Sequence, residues 1–237
     1  PDAFVSLSSD VQPEFREYER MSTTVLNAYL QPVMARYLDH LDAEVRTRLP
    51  TAQVVINQSS GGLMSLKSAR LFPIRTALSG PAAGVLGAVD AARRAGLSDV
   101  ITFDMGGTSA DVTMVRDLQP DYSYSRTIGG FPVRLPSIDI STVGAGGGSI
   151  AWFDRDDLLK VGPLSAGAVP GPACYDAGGD KATVTDANLI LGRLSSRGLL
   201  DGAMRLDPEA GRGVLRPIAD KMGFTVERTA HGILEIV

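Results

Sequence analysis

Residues 100–115 read VITFDMGGTSADVTMV, and the interpretation of the rest of the chain starts from this stretch. An apolar run that begins at Val100 stops at the acid Asp104, two glycines follow, and a second apolar run begins after Asp111. Apolar runs on both sides of a Gly-Gly pair predict two strands joined by a tight turn. We call residues 106–109 the hairpin turn.

The hairpin turn has the composition of an anion-binding site. Glycine accepts positive φ and lets the backbone come close to a ligand, so the amides of Gly106, Gly107 and Thr108 can form a concavity for phosphate. Thr108 and Ser109 add hydroxyl groups to it. Asp104 would repel a bare phosphate but suits one that carries Mg²⁺, because the metal reverses the local charge. The turn therefore predicts a Mg²⁺–nucleotide site, with an ordinary β-hairpin as the alternative.

Five motifs, in one order, extend the interpretation to nearly the whole chain: SGPAAGVLGA at 79–88, TFDMGGTSADV at 102–112, VGAGGGSIAW at 143–152, PGPACY at 170–175 and TVTDANLILGRL at 183–194. Together they resemble the hydantoinase/oxoprolinase family, within the actin, Hsp70 and sugar-kinase ATPase superfamily. That family includes ATP-dependent hydantoinases, 5-oxoprolinases and the related acetone and acetophenone carboxylase subunits. The resemblance implies an α/β chain with the actin-like ATPase (ribonuclease H-like) fold, here a central fragment that contains the second phosphate-binding hairpin.

The resemblance also implies cofactors and site residues. ATP and Mg²⁺ are the expected cofactors, with Asp104 orienting the metal through its waters. Asp111 is either a second acid of the site or a residue that fixes the hairpin, and both possibilities stay open. A second glycine-rich stretch, GAGGGS at residues 144–149, is called the glycine run. Its Gly146, Gly147 and Gly148 are expected to join the nucleotide-binding residues.

The implied reaction is the ATP-dependent opening of a cyclic amide such as a hydantoin or 5-oxoproline. Transfer of the γ-phosphoryl group to the carbonyl oxygen would activate the ring, and catalysis of such transfer is mainly positioning and charge stabilisation. A second hydrolase subunit or domain is the expected partner. Two alternatives remain: an ATPase subunit of an acetone or acetophenone carboxylase-like enzyme, and a non-catalytic actin- or Hsp70-like nucleotide switch.

Members of the family carry an earlier phosphate turn upstream and further helical sequence downstream, and their superfamily binds nucleotide between two halves. We therefore expect this chain to be part of a longer protein, and to bind ATP weakly and turn it over barely or not at all when isolated. In domain terms, residues 1–97 are predicted to hold a helical region, a buried strand and an interdomain helix from the first ATPase half. Residues 98–237 are predicted to form the second half.

The glycine run raises one competing interpretation, a dinucleotide-binding turn. That motif needs glycine where Ser149 stands and must open a helix, whereas residues 150–153 have the pattern of a strand. A Rossmann site is therefore disfavoured. Just before the run, Ser141 stands where relatives often carry histidine in a D-I-H-T-V sequence. Ser141 cannot act as an imidazole would, which questions metal binding at that point, while Asp139 remains available as a carboxylate.

Composition excludes several classes of protein. The 237 residues are 44% hydrophobic, enough for one large core or two modest ones, and the net charge of -4 gives no reason to expect nucleic acid or an anionic membrane. No apolar run approaches the ~20 residues of a transmembrane helix. The single cysteine, Cys174, fits a reducing cytoplasm, where we expect the protein to reside. With no histidine adjacent, Cys174 is expected to be a structural thiol.

Three local predictions concern packing. Residues 14–49 are predicted to form a long helix that kinks or restarts at Pro32 and buries a face including Tyr29, Val33 and Tyr37, with Leu30, Met34 and Leu38 as a second row beside it. Residues 52–56 are predicted to form a buried strand, followed by a polar loop that either binds ligand or only connects. Thr185 and Asp186 are predicted to cap a helix.

Overall fold

The computed structural model describes residues 3–198 and 204–237, and the chain forms two compact units. The first comprises Pro1–Thr102 and Val112–Ser141, and the second comprises Phe103–Asp111 and Thr142–Val237. This division by compactness places residues 112–141 with the first unit, unlike the predicted boundary at residue 97. The assignment of residues 1–97 and 98–237 to two ATPase halves stays a prediction.

The first unit begins with two helices, α1 (Ser8–Val11) and α2 (Glu17–Arg48). The 32 residues of α2 confirm the predicted long helix. Pro32 lies inside α2, and the helix continues through it, so the predicted restart is wrong. Buried residues lie on both sides of the proline, from Thr23 to Leu38, and this packing holds the helix together where one backbone hydrogen bond is missing.

The buried face of α2 is narrower than the two apolar rows that were predicted to form it. Tyr29 is 77% exposed, and Val33 and Tyr37 are each 58% exposed. The second apolar row turns inward instead: Leu38 is fully buried, and Met34 packs beside it in a cluster with residues of the following hairpin and helix. Both rows have helical spacing, so periodicity alone could not choose between them.

Two buried amide side chains explain which row of α2 faces inward. Asn27 and Gln31 each donate a hydrogen bond to the carbonyl of Leu71, at 2.9 and 3.0 Å. The Asn27 side-chain oxygen also accepts the N–H of Ile74 at 3.3 Å. Buried amides are stable only where such partners exist. These hydrogen bonds therefore fix the rotation of α2.

After α2 come β1 (Val55–Asn57), β2 (Leu63–Ser65), α3 (Leu66–Leu71), a 3-10 turn at Pro73–Thr76 and α4 (Ser79–Arg94). β1 and β2 pair antiparallel as a hairpin, and Val55 is 51% exposed. A strand is therefore present near the predicted position but is only partly buried, with Ile56 packed on the core, and the polar residues after it form the hairpin connection. α4 begins directly at Ser79.

The strands between residues 100 and 143 are β3 (Val100–Met105), β4 (Ala110–Arg116), β5 (Gln119–Pro120), β6 (Tyr122–Ser123), β7 (Arg126–Ile128), β8 (Phe131–Val133), β9 (Ser137–Ile138) and β10 (Ser141–Val143). One sheet has the order β10-β4-β3, with β5 also paired to β4. β6 pairs with β9, and β7 with β8. β3 and β4 confirm the predicted strand, turn and strand. α4 packs its Ala82, Val85 and Val89 against Val115 and Ile138 in the core of the first unit.

The second unit continues with β11 (Ser149–Phe153), β12 (Leu159–Ser165), a 3-10 turn at Ala173–Tyr175, and the helices α5 (Val184–Ile190), α6 (Pro208–Met222) and α7 (Val226–Ile236). β11 and β12 form an antiparallel pair. In the core of the second unit, Ala151 of β11 packs with Val184, Leu215 and Ile233 of the three helices. Thr183, rather than Thr185, caps α5, in a capping box with Asp186.

In the part of the chain that the structure describes, no helix combines the length and the hydropathy that a membrane span requires.

Candidate functional site

The hairpin turn closes on itself and leaves its outer side open. The N–H of Gly106 donates to the carbonyl of Ser109 at 2.9 Å. Neither Gly106 nor Gly107 has a positive φ, so the expected left-handed conformation is not the reason for these glycines. A Cβ on Gly107 would meet no atom within 4 Å. Glycine at this position therefore leaves open space beside the turn, where a ligand could approach the backbone.

The glycine run packs directly on the hairpin turn. A Cβ on Gly146 would lie 2.7 Å from backbone atoms of Thr108 and Ser109, and a Cβ on Gly148 would lie 2.8 Å from the carbonyl oxygen of Gly107. Side-chain carbons essentially never approach other atoms this closely. Gly146 and Gly148 are therefore required by backbone-to-backbone contact, which the sequence did not reveal.

Hydrogen bonds from the glycine run hold the carbonyls of the hairpin turn. Gly147 N–H donates to the Gly106 carbonyl at 2.9 Å, and Gly148 N–H donates to the Gly107 carbonyl at 2.6 Å. In a planar trans peptide the C=O and the following N–H point in opposite directions. The Gly107 amide consequently points away from Gly147, which holds the Gly106 carbonyl, and the Thr108 amide points away from Gly148, which holds the Gly107 carbonyl. Neither amide donates a hydrogen bond to any described residue, so both are available to a ligand.

A cavity of about 570 Å³ lies beside these amides, entirely within the second unit. Its lining includes Met105, the first three residues of the hairpin turn, and Tyr175, Asn188 and Leu194. This volume is within the range of small-molecule sites, about 300–1,000 Å³. The cavity is therefore large enough for more than an isolated phosphate.

The structure places the two predicted acids in different surroundings. Asp104 is exposed and comes immediately before the segment that lines the cavity. Asp111 is half-buried, and its carboxylate accepts the hydroxyl of Thr142 at 2.6 Å, which ties β4 to β10. Of the two possibilities left open by the sequence, this contact favours fixing of the hairpin.

The remaining predicted residues lie close together around the turn. Ser109 supplies the carbonyl that closes the turn but does not line the cavity. The amides of Gly147 and Gly148 are occupied by the turn carbonyls, so these residues meet the cavity without free donors. The exposed Ser141 hydroxyl forms no hydrogen bond with any described side chain or backbone group. The direct role of each residue in binding stays a prediction.

Two residues at the site carried no functional signal in the sequence. Thr185 donates its N–H and its hydroxyl to the carbonyl of Gly147, both at 2.8 Å. Ser165 donates its hydroxyl to the carbonyl of Gly107 at 3.3 Å. The capping-box pattern T-x-x-D at residues 183–186 could have shown where α5 begins. It could not have shown that Thr185, the second residue of the helix, contacts Gly147.

The donor set fits one kind of metal. Across residues 3–198 and 204–237, no three His, Cys, Asp or Glu side chains come together as a possible ligand group. Mg²⁺ does not need such a cluster, since it keeps several waters and binds through one or two carboxylates plus substrate phosphates. The exposed carboxylate of Asp104 does not line the cavity, but it precedes the lining segment and is the kind of ligand that such a Mg²⁺ ion takes.

Cys174 is not suited to nucleophilic chemistry. Its side chain is fully buried. Burial raises the pKa of the Cys174 thiol well above its usual range, and the nearby Asp186 carboxylate raises it further. A thiol that stays protonated is a poor nucleophile. This environment agrees with the predicted structural role.

Comparison with known proteins places the chain in a family. The family described as hydantoinase/oxoprolinase matches residues 20–237, which is most of the sequence. The chain belongs to the hydantoinase/oxoprolinase family. The predicted family resemblance is thereby confirmed.

Members of the hydantoinase/oxoprolinase family similar to this chain include two curated enzymes. The caprolactamase subunit alpha of Pseudomonas jessenii is 44% identical over 241 residues, covering 100% of this chain and 34% of that protein. The 5-oxoprolinase of Saccharomyces cerevisiae is 40% identical over 192 residues, covering 80% of this chain and 14% of that protein. The chain thus spans about a third of the length of the first relative and less of the second.

Two solved structures support the fold. The crystal structure of the ATP-dependent caprolactamase from Pseudomonas jessenii matches with a TM-score of 0.83 at 44% identity, covering 100% of this chain and 34% of that one. The nucleotide-free structure of acetone carboxylase matches with a TM-score of 0.81 at 30% identity, covering 97% of this chain and 32% of that one. The predicted α/β, actin-like ATPase type of fold is confirmed, and both neighbours are described as ATP-dependent.

Proposed function

We propose that the intact protein is an ATP-dependent hydrolase of cyclic amides, and that its hairpin turn holds phosphates of ATP. One observation carries the proposal: the Gly107 and Thr108 amides are free beside a cavity of about 570 Å³, while the carbonyls behind them are held by the glycine run. Donors fixed in advance need no reorganisation when charge develops on a phosphate.

Each group of the turn has a definite task in this proposal. The amides of Gly107 and Thr108 donate to phosphate oxygens, and the Thr108 hydroxyl is a further donor. Asp104 holds Mg²⁺ through its waters. The ion would neutralise charge on the phosphates during transfer. Asp111 acts through Thr142 by fixing the strand on which the turn is mounted.

The other residues of the cavity lining support a ligand larger than a small anion. Leu194 and Met105 provide apolar surface, while Tyr175 and Asn188 bring a hydroxyl and an amide. Neither of these two side chains forms a hydrogen bond within the described part of the chain, so both can bind a ligand. A mostly apolar pocket with a few polar groups is typical of a site for a planar base and sugar.

The reaction follows from the chemistry of lactams. An unactivated cyclic amide resists water, so the γ-phosphoryl group is transferred to its carbonyl oxygen and the ring nitrogen becomes the leaving group when water attacks the carbonyl carbon. ADP is the product of the transfer, and opening of the ring gives an acyl phosphate. A second water then cleaves the acyl phosphate into inorganic phosphate and the carboxylate of the open-chain product. Relatives named caprolactamase and 5-oxoprolinase support a cyclic amide as substrate. The name "subunit alpha" supports a second subunit as partner.

Phosphate release from MgATP by the intact protein tests the proposal. We expect release to depend on a cyclic amide, with caprolactam, hydantoin and 5-oxoproline as the compounds to compare. Asp104→Asn should lower this activity about a hundredfold or more, which is the scale of a lost electrostatic contact in a transition state. The exposed Asp180 provides the matched control, because Asp180→Asn should leave the rate unchanged. Release that no cyclic amide stimulates would disprove the proposal.

A second function is favoured by one observation, the match to acetone carboxylase. In that case the same turn would serve an ATPase subunit that activates a ketone for carboxylation. Phosphate release would then require a ketone such as acetone or acetophenone together with bicarbonate. The same assay distinguishes the two functions by which addition starts ATP hydrolysis.

A further inference from the structure

A line of hydrogen bonds runs from helix α5 to the hairpin turn through a single peptide group. Thr185 donates its N–H and its hydroxyl to the carbonyl of Gly147. The peptide that contains this carbonyl also contains the N–H of Gly148, which donates to the carbonyl of Gly107 at 2.6 Å. The Gly107 carbonyl belongs in turn to the peptide whose N–H is that of Thr108.

We infer that Thr185 is a positioning residue, which sets the direction of the Thr108 amide through the peptide that joins Gly147 to Gly148. The effect on activity rests on the proposed function, since it requires that Thr108 binds phosphate. Planar trans peptides transmit the orientation, because their C=O and N–H groups point in opposite directions. Hydrogen bonds in a chain also polarise one another, so the Thr108 amide becomes a stronger donor to an anion.

The start of the line is rigidly mounted. Thr185 is 7% exposed, and the neighbouring Asp186 is fully buried. The Asp186 carboxylate accepts the N–H and the hydroxyl of Thr183 at 3.0 and 2.7 Å, and the N–H of Cys174 at 2.8 Å. Charge-assisted hydrogen bonds of this kind are about twice as strong as neutral ones. Helix α5 therefore presents Thr185 from a fixed position.

Substitution by valine is the sharpest perturbation. In Thr185→Val a methyl group takes the place of a hydroxyl that lies 2.8 Å from the Gly147 oxygen. Carbon–oxygen contacts of this type lie at about 3.3–3.6 Å, so the carbonyl must retreat by about 0.5 Å. That movement turns the peptide that joins Gly147 to Gly148 and weakens the hydrogen bond from the Gly148 N–H to the Gly107 carbonyl. Thr185→Ser keeps the hydroxyl and should therefore keep the hydrogen bond to the Gly147 carbonyl.

The same unit offers a matched control. Thr229 in α7 is fully buried, and among the described residues its hydroxyl has no hydrogen-bond partner. Thr229→Val therefore makes the same chemical change without breaking a hydrogen bond. It should leave nucleotide binding unchanged.

The test measures kcat/KM for ATP hydrolysis by the intact protein, stimulated by its cyclic amide, together with the amide NMR signals of ¹⁵N-threonine-labelled protein. Thr185→Val should lower kcat/KM about tenfold and shift the Thr108 signal without ligand, while Thr185→Ser and Thr229→Val stay within twofold of wild type. The inference would be overturned if Thr185→Val and Thr229→Val gave the same kcat/KM and the same Thr108 signal. If wild type hydrolyses no ATP, the proposed function fails, and the Thr108 signal alone decides whether Thr185 positions the turn.

Discussion

The contact between the glycine run and the hairpin turn gives the sharpest prediction, a comparison of Gly146→Ala with Gly144→Ala. A Cβ on Gly146 would lie 2.7 Å from backbone atoms of Thr108 and Ser109. Backbone cannot swing aside as the end of a flexible side chain can. A Cβ on Gly144, two residues earlier, meets no atom within 4 Å. The two variants therefore differ mainly in this contact.

The size of the effect follows from the distances. Ordinary contact begins at 3.4 Å, so the backbone at Gly146 and the turn must separate by about 0.7 Å to accept a methyl group. Forcing an extra methyl into a packed site costs about 1–3 kcal/mol of stability. A displacement of nearly 1 Å in a phosphate site costs up to about a hundredfold in rate. Gly144→Ala should instead leave stability unchanged or raise it by up to about 1 kcal/mol, because alanine restricts the unfolded chain.

Urea unfolding followed by circular dichroism measures the free energy of unfolding of both variants, and calorimetric titration measures their affinity for MgATP. We expect Gly146→Ala to lose stability and to bind MgATP at least tenfold more weakly than Gly144→Ala. Equal stability and equal affinity of the two variants would show that the glycine run does not support the turn in the way described above.

Two further predictions concern the cores. Leu38→Ala should lower the free energy of unfolding in urea by about 2–5 kcal/mol, and Tyr37→Ala by less than about 0.5 kcal/mol. The difference is expected because Leu38 is fully buried and Tyr37 is 58% exposed. Similar losses in the two variants would mean that α2 faces the other way. The pKa of the Cys174 thiol is raised in the folded state. The contribution of this thiol to the free energy of unfolding is therefore fully present below the unfolded pKa of about 8.5. The contribution is lost as pH rises above that value, by at most about 1.4 kcal/mol per pH unit. Unfolding between pH 7.5 and 9.5 should show this slope in wild type and a smaller one in Cys174→Ala; equal slopes would contradict the assigned burial.

Helix α2 shows how far sequence periodicity reaches. Its existence and length follow from apolar residues at helical spacing, and the structure confirms both. Its rotation depends on Asn27 and Gln31, whose amides find a carbonyl on a distant segment. Periodicity placed both apolar rows on the buried face, although the row of Tyr29, Val33 and Tyr37 is exposed, and it gave no sign that these two amide residues are buried. Only the position of the hydrogen-bond acceptor makes their burial stable.

The prediction that the first strand after α2 is buried failed for a related reason. A short apolar run has no length or periodicity that separates a buried parallel strand from the arm of an exposed hairpin. β1 pairs antiparallel with β2 and leaves Val55 half-exposed. The argument that the following loop binds ligand relied on the first topology, so ligand binding by this loop stays an untested prediction.

The sequence by itself determined the strand, turn and strand of residues 100–115, because the signals for strands and tight turns lie within a few neighbouring residues. It also determined the family, through five motifs in a fixed order. Tertiary structure alone decided why the glycine run is glycine and which amides of the hairpin turn are free. These depend on Gly148 meeting Gly107 and on Thr185 meeting Gly147, 38 residues away, and contacts between distant segments leave no periodic trace in a sequence.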